Sequence, residues 1–268
     1  MSMTFGFIGC GNMGGALAKA AAIGAGPHRV ALANRTPQKA HALAEALGCK
    51  VLSNEEIAAK YDFIFLGVKP QMMADMLEGI APFLEARTSP FVLVSMAAGL
   101  PIERIRKMAG GDYPVLRIMP NTPCAIGRGM TQFCAAGVEE EVISEFLTVM
   151  EPAGRWDELP ESLMDAASSL SGSGPAFTYM FIEALADGAV ACGLPRAKAQ
   201  EYAAQMVAGA AQMVLESGKH PGQLKDEVCS PGGTTVQGVM ALEEKGFRSA
   251  AQGAVAAAYR RNKELAGG

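Results

Sequence analysis

The sequence predicts an α/β fold, in which an amino-terminal parallel sheet layered with helices is followed by an all-α domain. Three observations predict it. From Thr4 to Glu158, short β-branched or apolar runs alternate with Ala-rich segments, the rhythm of strand–helix–strand units. The runs Phe63–Leu66 and Phe91–Val94 are apolar throughout, without the alternation of a half-exposed strand, as strands covered on both faces by helices require. After Pro160 the strand signals stop, and the chain reads as helices broken at Gly172/Gly174, Gly193/Pro195, Pro221 and Pro231-Gly232-Gly233.

In order, strands are predicted at Thr4–Ile8, Arg29–Ala33, Asp62–Val68, Phe91–Met96 and Pro114–Ile118. Weaker signals at Met130–Cys134 and Gly154–Asp157 extend the edge of the sheet, with a helix near Glu139–Met150 between them. Further helices are predicted at Gly15–Ile23, Phe177–Val190, Tyr202–Leu215 and Val236–Lys245. The domain division is placed between 1–158 and 159–268. Tyr202–Leu215 carries no charge on any face, so such a helix has to be buried all round. The second domain has little interior for it, and a second subunit is expected to cover part of the surface.

The length of 268 residues allows one large domain or two modest ones, each with a real core. With 23 Lys and Arg against 27 Asp and Glu, the formal charge is −4, and only 19% of residues are charged. That composition lacks the basic stripe that draws in nucleic acid or an anionic membrane, leaving small-molecule work as the expectation. The uncharged stretch Ala166–Ile182 contains five Ser/Thr, two Gly and Pro175, which rules it out as a bilayer-spanning helix. Met1-Ser2-Met3-Thr4-Phe5 runs straight into a strand pattern with no basic leader or cleavage site, so a cytoplasmic location is expected. Six cysteines (Cys10, Cys49, Cys124, Cys134, Cys192, Cys229) form no C-x-x-C pair and have no histidine at ligand spacing. No metal site is expected, only reduced, packed thiols. His28, His41 and His220 are isolated and read as surface or capping residues.

Gly9-Cys10-Gly11-Asn12-Met13-Gly14 matches G-x-G-x-x-G between a predicted strand and the Ala-rich helix Gly15–Ile23. In that setting Gly9 allows the tight turn, Gly11 lets backbone approach a pyrophosphate, and Gly14 permits close helix–strand packing; the fold is Rossmann-type. The end of the second strand reads Asn34-Arg35-Thr36, with no acid to hold ribose hydroxyls. No Asp or Glu precedes Glu45, whereas Lys19, Arg29, Arg35 and Lys39 make this region positive. The pattern predicts NADPH as cofactor, held at its 2′-phosphate by Arg35 with help from Thr36 and Asn34, and NADH as the alternative donor. Ligands of open parallel sheets sit beyond the carboxyl ends of the strands. That directs attention to Gly67-Val68-Lys69-Pro70-Gln71, Ala97-Ala98-Gly99 and Met119-Pro120-Asn121-Thr122-Pro123. Their small residues let a flat nicotinamide lie against backbone, and Lys69, Asn121 and Thr122 can hydrogen-bond ribose, amide or substrate.

Ser230-Pro231-Gly232-Gly233-Thr234-Thr235 precedes the helix pattern Val236–Lys245. Gly-Gly before a helix start exposes backbone N–H groups, and the hydroxyls of Ser230, Thr234 and Thr235 add donors near the positive end of the dipole. A substrate carboxylate is one reading, and a helix cap with Thr234 or Thr235 as N-cap is the other. Ser171-Gly172-Ser173-Gly174-Pro175-Ala176 is a similar break before Phe177–Val190, with Pro175 suited to a first helical turn and Ser173 to its cap.

In this order GFIGCGNMG, GVKPQ, MAAG, R-I-M-P-N-T-P, SGSGPAF, HPGQLKDEV, SPGGTT and LEEKGFRSA resemble the pyrroline-5-carboxylate reductases over nearly the whole chain. The resemblance implies reduction of 1-pyrroline-5-carboxylate to L-proline, the last step of proline biosynthesis, by NADPH or NADH. It implies an amino-terminal Rossmann domain and a helical dimerisation domain whose dimers interleave and assemble further, up to a ring of five dimers. Carried over by motif, the dinucleotide contacts Cys10 to Met13, Asn34 to Thr36, Asn54, Val68 to Pro70 and Ala97 to Gly99. The substrate carboxylate meets Ser230, Gly233, Thr234 and Thr235, and the Thr235 hydroxyl, the candidate catalytic group, lies near the ring nitrogen. Relatives vary at the second-strand end, some having Ser-Pro there, so cofactor preference does not follow from the resemblance. A cyclic imine is basic enough to be partly protonated in neutral water and then accepts hydride without a strong side-chain acid. The loops above, rich in hydroxyls and amides and poor in acid–base groups, suit that chemistry.

Two other readings are weighed. A β-hydroxyacid dehydrogenase-like oxidoreductase needs a lysine in the first turns of the helix after a Gly-rich stretch, but after Gly174 the next lysine is Lys198. A non-catalytic NADPH-binding regulator would have no use for the intact SPGGTT.

Overall fold

The computed structural model describes residues 3–266; Met1, Ser2, Gly267 and Gly268, the outer ends of the two expected domains, lie outside the described residues. The chain forms two compact units, Met1–Ser173 with Ala258–Gly268, and Gly174–Ala257. The first therefore runs past the expected limit at 158/159 and takes back the end of the last helix.

In the first unit the strands are β1 (Phe5–Ile8), β2 (Val30–Ala33), β3 (Lys50–Val51), β4 (Phe63–Leu66), β5 (Val92–Ser95), β6 (Val115–Met119), β7 (Gly129–Ala136) and β8 (Gly154–Glu158). They form one sheet in the order β3-β2-β1-β4-β5-β6-β7-β8. The helices between them are α1 (Asn12–Ala25), α2 (Pro37–Leu47), α3 (Asn54–Lys60), α4 (Met73–Glu85), α5 (Ile102–Ala109) and α6 (Glu140–Met150), followed by α7 (Met164–Ser171). The first six strands are parallel, but β7 runs antiparallel to β6, so the expected all-parallel sheet is corrected at this edge. The cause is the link. Only a short turn at Thr122–Ile126 joins β6 to β7, and a parallel return needs a crossover of about a dozen residues or more. Between β7 and β8 that crossover exists as α6, and those two strands are parallel. The two-residue β3 is absent from the predicted strands because nothing so short leaves a periodic signal.

The apolar runs do what their composition requires. Phe5, Phe7, Phe63, Phe65 and Phe146 are buried together, with Phe7 stacked on Phe65 at 4.1 Å and Phe63 against Phe146 at 5.0 Å. The indole of Trp156 meets Phe146 edge-on at 5.4 Å and donates to the Met150 carbonyl at 3.0 Å. Each buried Phe is worth about 1.5–3 kcal/mol, so this layer carries much of the unit's stability. Alanines at 18, 20 and 21 let α1 pack into the same layer.

The second unit contains α8 (Gly174–Ala191), α9 (Arg196–Ser217), α10 (Pro221–Glu227), α11 (Thr234–Glu244) and the first part of α12 (Phe247–Ala266). Its buried cluster is small: Ala186, Ala199 and Ala203, with Ile182, Leu185 and Leu194 packed around them. Tyr202, Met206, Met213 and Leu215 on α9 are all at least half exposed. The uncharged helix is thus left open in a single chain, as expected of a surface that a second copy covers. No described helix is long and apolar enough to cross a membrane.

Candidate active site

The sheet order arranges the predicted contacts in a row. Along the carboxyl edge from β3 to β6, the segments that follow the strands carry Asn54, then Asn34–Thr36, the Gly9–Met13 loop, Val68–Pro70, Ala97–Gly99 and finally Asn121. Strand order reverses between β1 and β4, the position where dinucleotides settle in such sheets. From β2 to β5 the row spans three inter-strand spacings, about 14 Å.

At the reversal two glycines meet. Gly9 has φ +107°, a left-handed value, and a Cβ there would overlap the carbonyl of Gly67, while a Cβ at Gly67 would overlap that of Gly9. Gly67 therefore shapes the glycine turn itself, and its signal in the sequence is a glycine ending an apolar run. A Cβ on Gly14 would likewise strike the Gly9 carbonyl, so α1 starts directly on the turn. Gly11 is different. It is exposed, caps α1 with no side-chain hydrogen bond, and has open space where a Cβ would point. The donors of the first turn therefore face free volume, and a pyrophosphate fits there. Burial pushes the Cys10 thiol up to about 11, so it carries no negative charge beside that volume at neutral pH.

Asn34 has a different role from the expected 2′-phosphate contact. Its Oδ1 accepts from the Cys10 N–H at 3.0 Å, and its Nδ2 donates to the Thr36 carbonyl at 3.0 Å. The amide thus ties the glycine turn to the second-strand turn. Arg35 and Thr36 are exposed, and the Arg35 guanidinium reaches Met72 Sδ at 3.7 Å, over the turn that follows β4. Thr36 caps α2 without a side-chain bond, and α2 has no acid in its first turn. Asn54 opens α3 behind a Ser53–Glu56 capping box, and its side chain has no partner among the described residues. Lys69 and Pro70 are exposed, whereas Ala97 is buried and Gly99 turns with φ +74°. Asn121, expected to hydrogen-bond ribose, amide or substrate, is buried and holds backbone in this structure: it accepts from the Met130 N–H at 2.9 Å and donates to the Ser171 carbonyl at 3.0 Å.

In the second unit, Gly233 is the N-cap of α11 and no side chain caps that helix. Thr234 and Thr235 lie inside its first turn, so the reading of either as N-cap is overturned. The hydroxyls of Ser230, Thr234 and Thr235 are exposed and have no hydrogen-bond partner among the described residues. The turn is held by Gly233 N–H donating to the Ser230 carbonyl at 3.0 Å, and by Gly232 at φ +68°. α11 has no acid in its first turn, unlike α3 to α7. An uncapped positive helix end ringed by three free hydroxyls suits a carboxylate. Before α8, Pro175 is the second helical residue, as its fixed φ favours.

A family described as pyrroline-5-carboxylate reductase dimerisation matches residues 161–265, and one described as NADP oxidoreductase, coenzyme F420-dependent, matches residues 4–99. Among similar curated proteins, the pyrroline-5-carboxylate reductase of Escherichia coli (strain K12) is 40% identical over 99% of both chains. That of Pisum sativum is 42% identical over 98% of this chain and 96% of its own. Among solved structures, the Coxiella burnetii pyrroline-5-carboxylate reductase superposes with TM-score 0.89 at 32% identity, covering 99% of each chain. The Plasmodium falciparum pyrroline carboxylate reductase, with NADP bound, gives 0.86 at 31%, covering 98% of each. A nucleotide-type sheet edge, an uncapped hydroxyl-ringed helix start and these full-length likenesses agree: the chain belongs to the pyrroline-5-carboxylate reductase family, NAD(P)H-dependent oxidoreductases of proline biosynthesis that reduce 1-pyrroline-5-carboxylate to L-proline.

Proposed function

We propose that this reductase prefers NADPH, through Arg35, and holds the substrate carboxylate on Ser230, Gly233, Thr234 and Thr235. The bound nicotinamide supplies the hydride. The chain's own residues then have three tasks. Gly9 to Gly14 hold the pyrophosphate on unpaired N–H groups, with Asn34 keeping the glycine turn in shape. Val68 to Pro70 and Ala97 to Gly99 give the nicotinamide end a backbone surface, Asn54 meets the adenine ribose, and Asn121 holds its loop. The α11 start neutralises the carboxylate, while the Thr235 hydroxyl partners the ring nitrogen and steadies its protonated form. No histidine, cysteine or acid is required. The functional division falls at 158/159, with 159–268 as the substrate-binding and dimerisation domain; dimers associate further into a ring of five, and the protein works in the cytoplasm.

One observation carries the substrate assignment: the free Thr234 and Thr235 hydroxyls at a helix start that no side chain caps. NADPH consumption with pyrroline-5-carboxylate tests it. Thr235→Ala should lower kcat/KM by about ten- to a hundredfold, the worth of one hydrogen bond in a dry site, and unchanged kinetics would sink the role. Arg35→Ala should reduce the NADPH/NADH ratio of kcat/KM by about tenfold or more, as loss of a charge-assisted contact does; an unmoved ratio leaves Arg35 a solvated cation.

A further inference from the structure

Arg117 sits on β6 with its side chain 5% exposed, a costly place for a guanidinium. Its two terminal nitrogens take different carboxylates, Glu161 Oε1 at 3.1 Å and Asp165 Oδ1 at 3.2 Å. Its Nε is buried and has no hydrogen-bond partner among the described residues. Glu161 Oε1 also accepts the Ile102 N–H at 2.8 Å, which fixes the first turn of α5 and so the far end of the loop Ala97–Pro101. Asp165 carries its second oxygen to Lys263 Nζ at 3.1 Å, and Asn262 Nδ2 donates to Ser169 Oγ at 2.9 Å. With Gly99 and Pro101, the four charged residues line a cavity of about 320 Å³. Three distant segments of the chain, 99–102, 161–169 and 262–263, thus gather around one arginine, immediately behind the loop that carries Ala97, Ala98 and Gly99.

An apolar residue would fill this space at lower cost in desolvation, so what the ion set supplies is fixed geometry. A planar fork can hold two carboxylates in set directions, which a lysine, as a point charge, cannot. We propose that Arg117 is a positioning residue for hydride transfer: through Glu161 and the Ile102 N–H it sets the height of the Ala97–Gly99 loop under the nicotinamide end. This rests on the reading that the loop carries that end.

The test compares Glu161→Ala, Glu161→Gln and Arg117→Lys in the full-length enzyme. Glu161 lies partly exposed, so its variants should fold even if those of Arg117 do not. Gln keeps an oxygen for Ile102 N–H, and Ala does not. Glu161→Ala should lower kcat by about ten- to a hundredfold, with the imine KM and the affinity for 2′,5′-ADP little changed, as expected when a reacting group is misplaced by a fraction of an ångström. The primary isotope effect with 4-deuterated NADPH should rise in the same variant, and Gln should restore most of kcat. Arg117→Lys, if folded, should resemble Ala rather than wild type. An unchanged kcat and isotope effect in Glu161→Ala, or a loss of 2′,5′-ADP binding that tracks the loss of kcat, would overturn the proposal. Ala98→Phe tests the underlying reading separately: it should weaken NADPH but spare 2′,5′-ADP, and unaltered NADPH binding would remove the loop from the cofactor site itself.

Discussion

The two cradles proposed for anions, at the starts of α1 and α11, are made in opposite ways. The cradle at α1 is jammed: Gly9, Gly14 and Gly67 leave no room for a side chain, and Asn34 locks the turn from the side. The cradle at α11 is looser: a Cβ at Gly233 would meet chiefly the Ser230 hydroxyl, with the Ser230 carbonyl farther off, Gly232 faces open space, and three hydroxyls have no partner among the described residues. In the first, shape comes from the sheet beneath. In the second, the donors stand ready but little of the chain's own packing fixes them. Rigidity suits a pyrophosphate gripped by backbone N–H groups, and free hydroxyls suit a small acid that must be met by side chains.

The contrast can be broken at either end. Gly14→Ala should have the largest effect, because its methyl strikes a backbone carbonyl that cannot step aside. It should destabilise by about 3 kcal/mol and weaken NADPH binding by about a hundredfold, read by calorimetry and cofactor fluorescence; a wild-type melting curve would mean the turn can relax. Gly233→Ala should be milder, since the Ser230 side chain that its methyl meets can rotate, although Ala is a poorer N-cap than Gly. The imine KM should rise by about three- to tenfold with NADPH binding unchanged, and an equal loss of NADPH affinity would show that the cradles are not separable.

Smallest is a pH effect within the rigid unit. Burial lifts the Cys10 and Cys134 thiols to about 11 from an ordinary 9.0. A raised folded pKa gives stability that is complete below the unfolded value and lost as pH climbs through the folded one. Thermal stability should therefore fall between pH 9 and about 11, and Cys10→Ala should flatten that fall while leaving the curve below pH 9 parallel. A slope unaltered by the substitution would assign the loss to other groups.

How much was legible in the sequence follows the same divide. The row of loops from Asn34 to Gly99 could be read from apolar runs and one glycine motif, because parallel strands and their turns are local signals. Asn34 and Asn121 read from the sequence as cofactor contacts, whereas in the structure both side chains hold neighbouring backbone, and amide geometry of that kind has no sequence signature. The Arg117 cluster was invisible for a plainer reason: its carboxylates lie 44 and 48 residues away along the chain. The reversed β7 was missed because periodicity reports a strand but not its direction, and the compact unit overran 158/159 because Arg117 and Gln132 hold α7 to the sheet.

The thin interior of the helical unit, three buried alanines beneath a face of exposed Tyr and Met, has a consequence for how the enzyme exists at all. A module with so little of its own to close upon should gain much of its stability by meeting another copy, which would make its thermodynamics bimolecular. Melting temperature should climb with protein concentration, and newly made chains at low abundance should be the form most exposed to proteolysis. For this reductase, supply of subunits is itself a stabilising ligand.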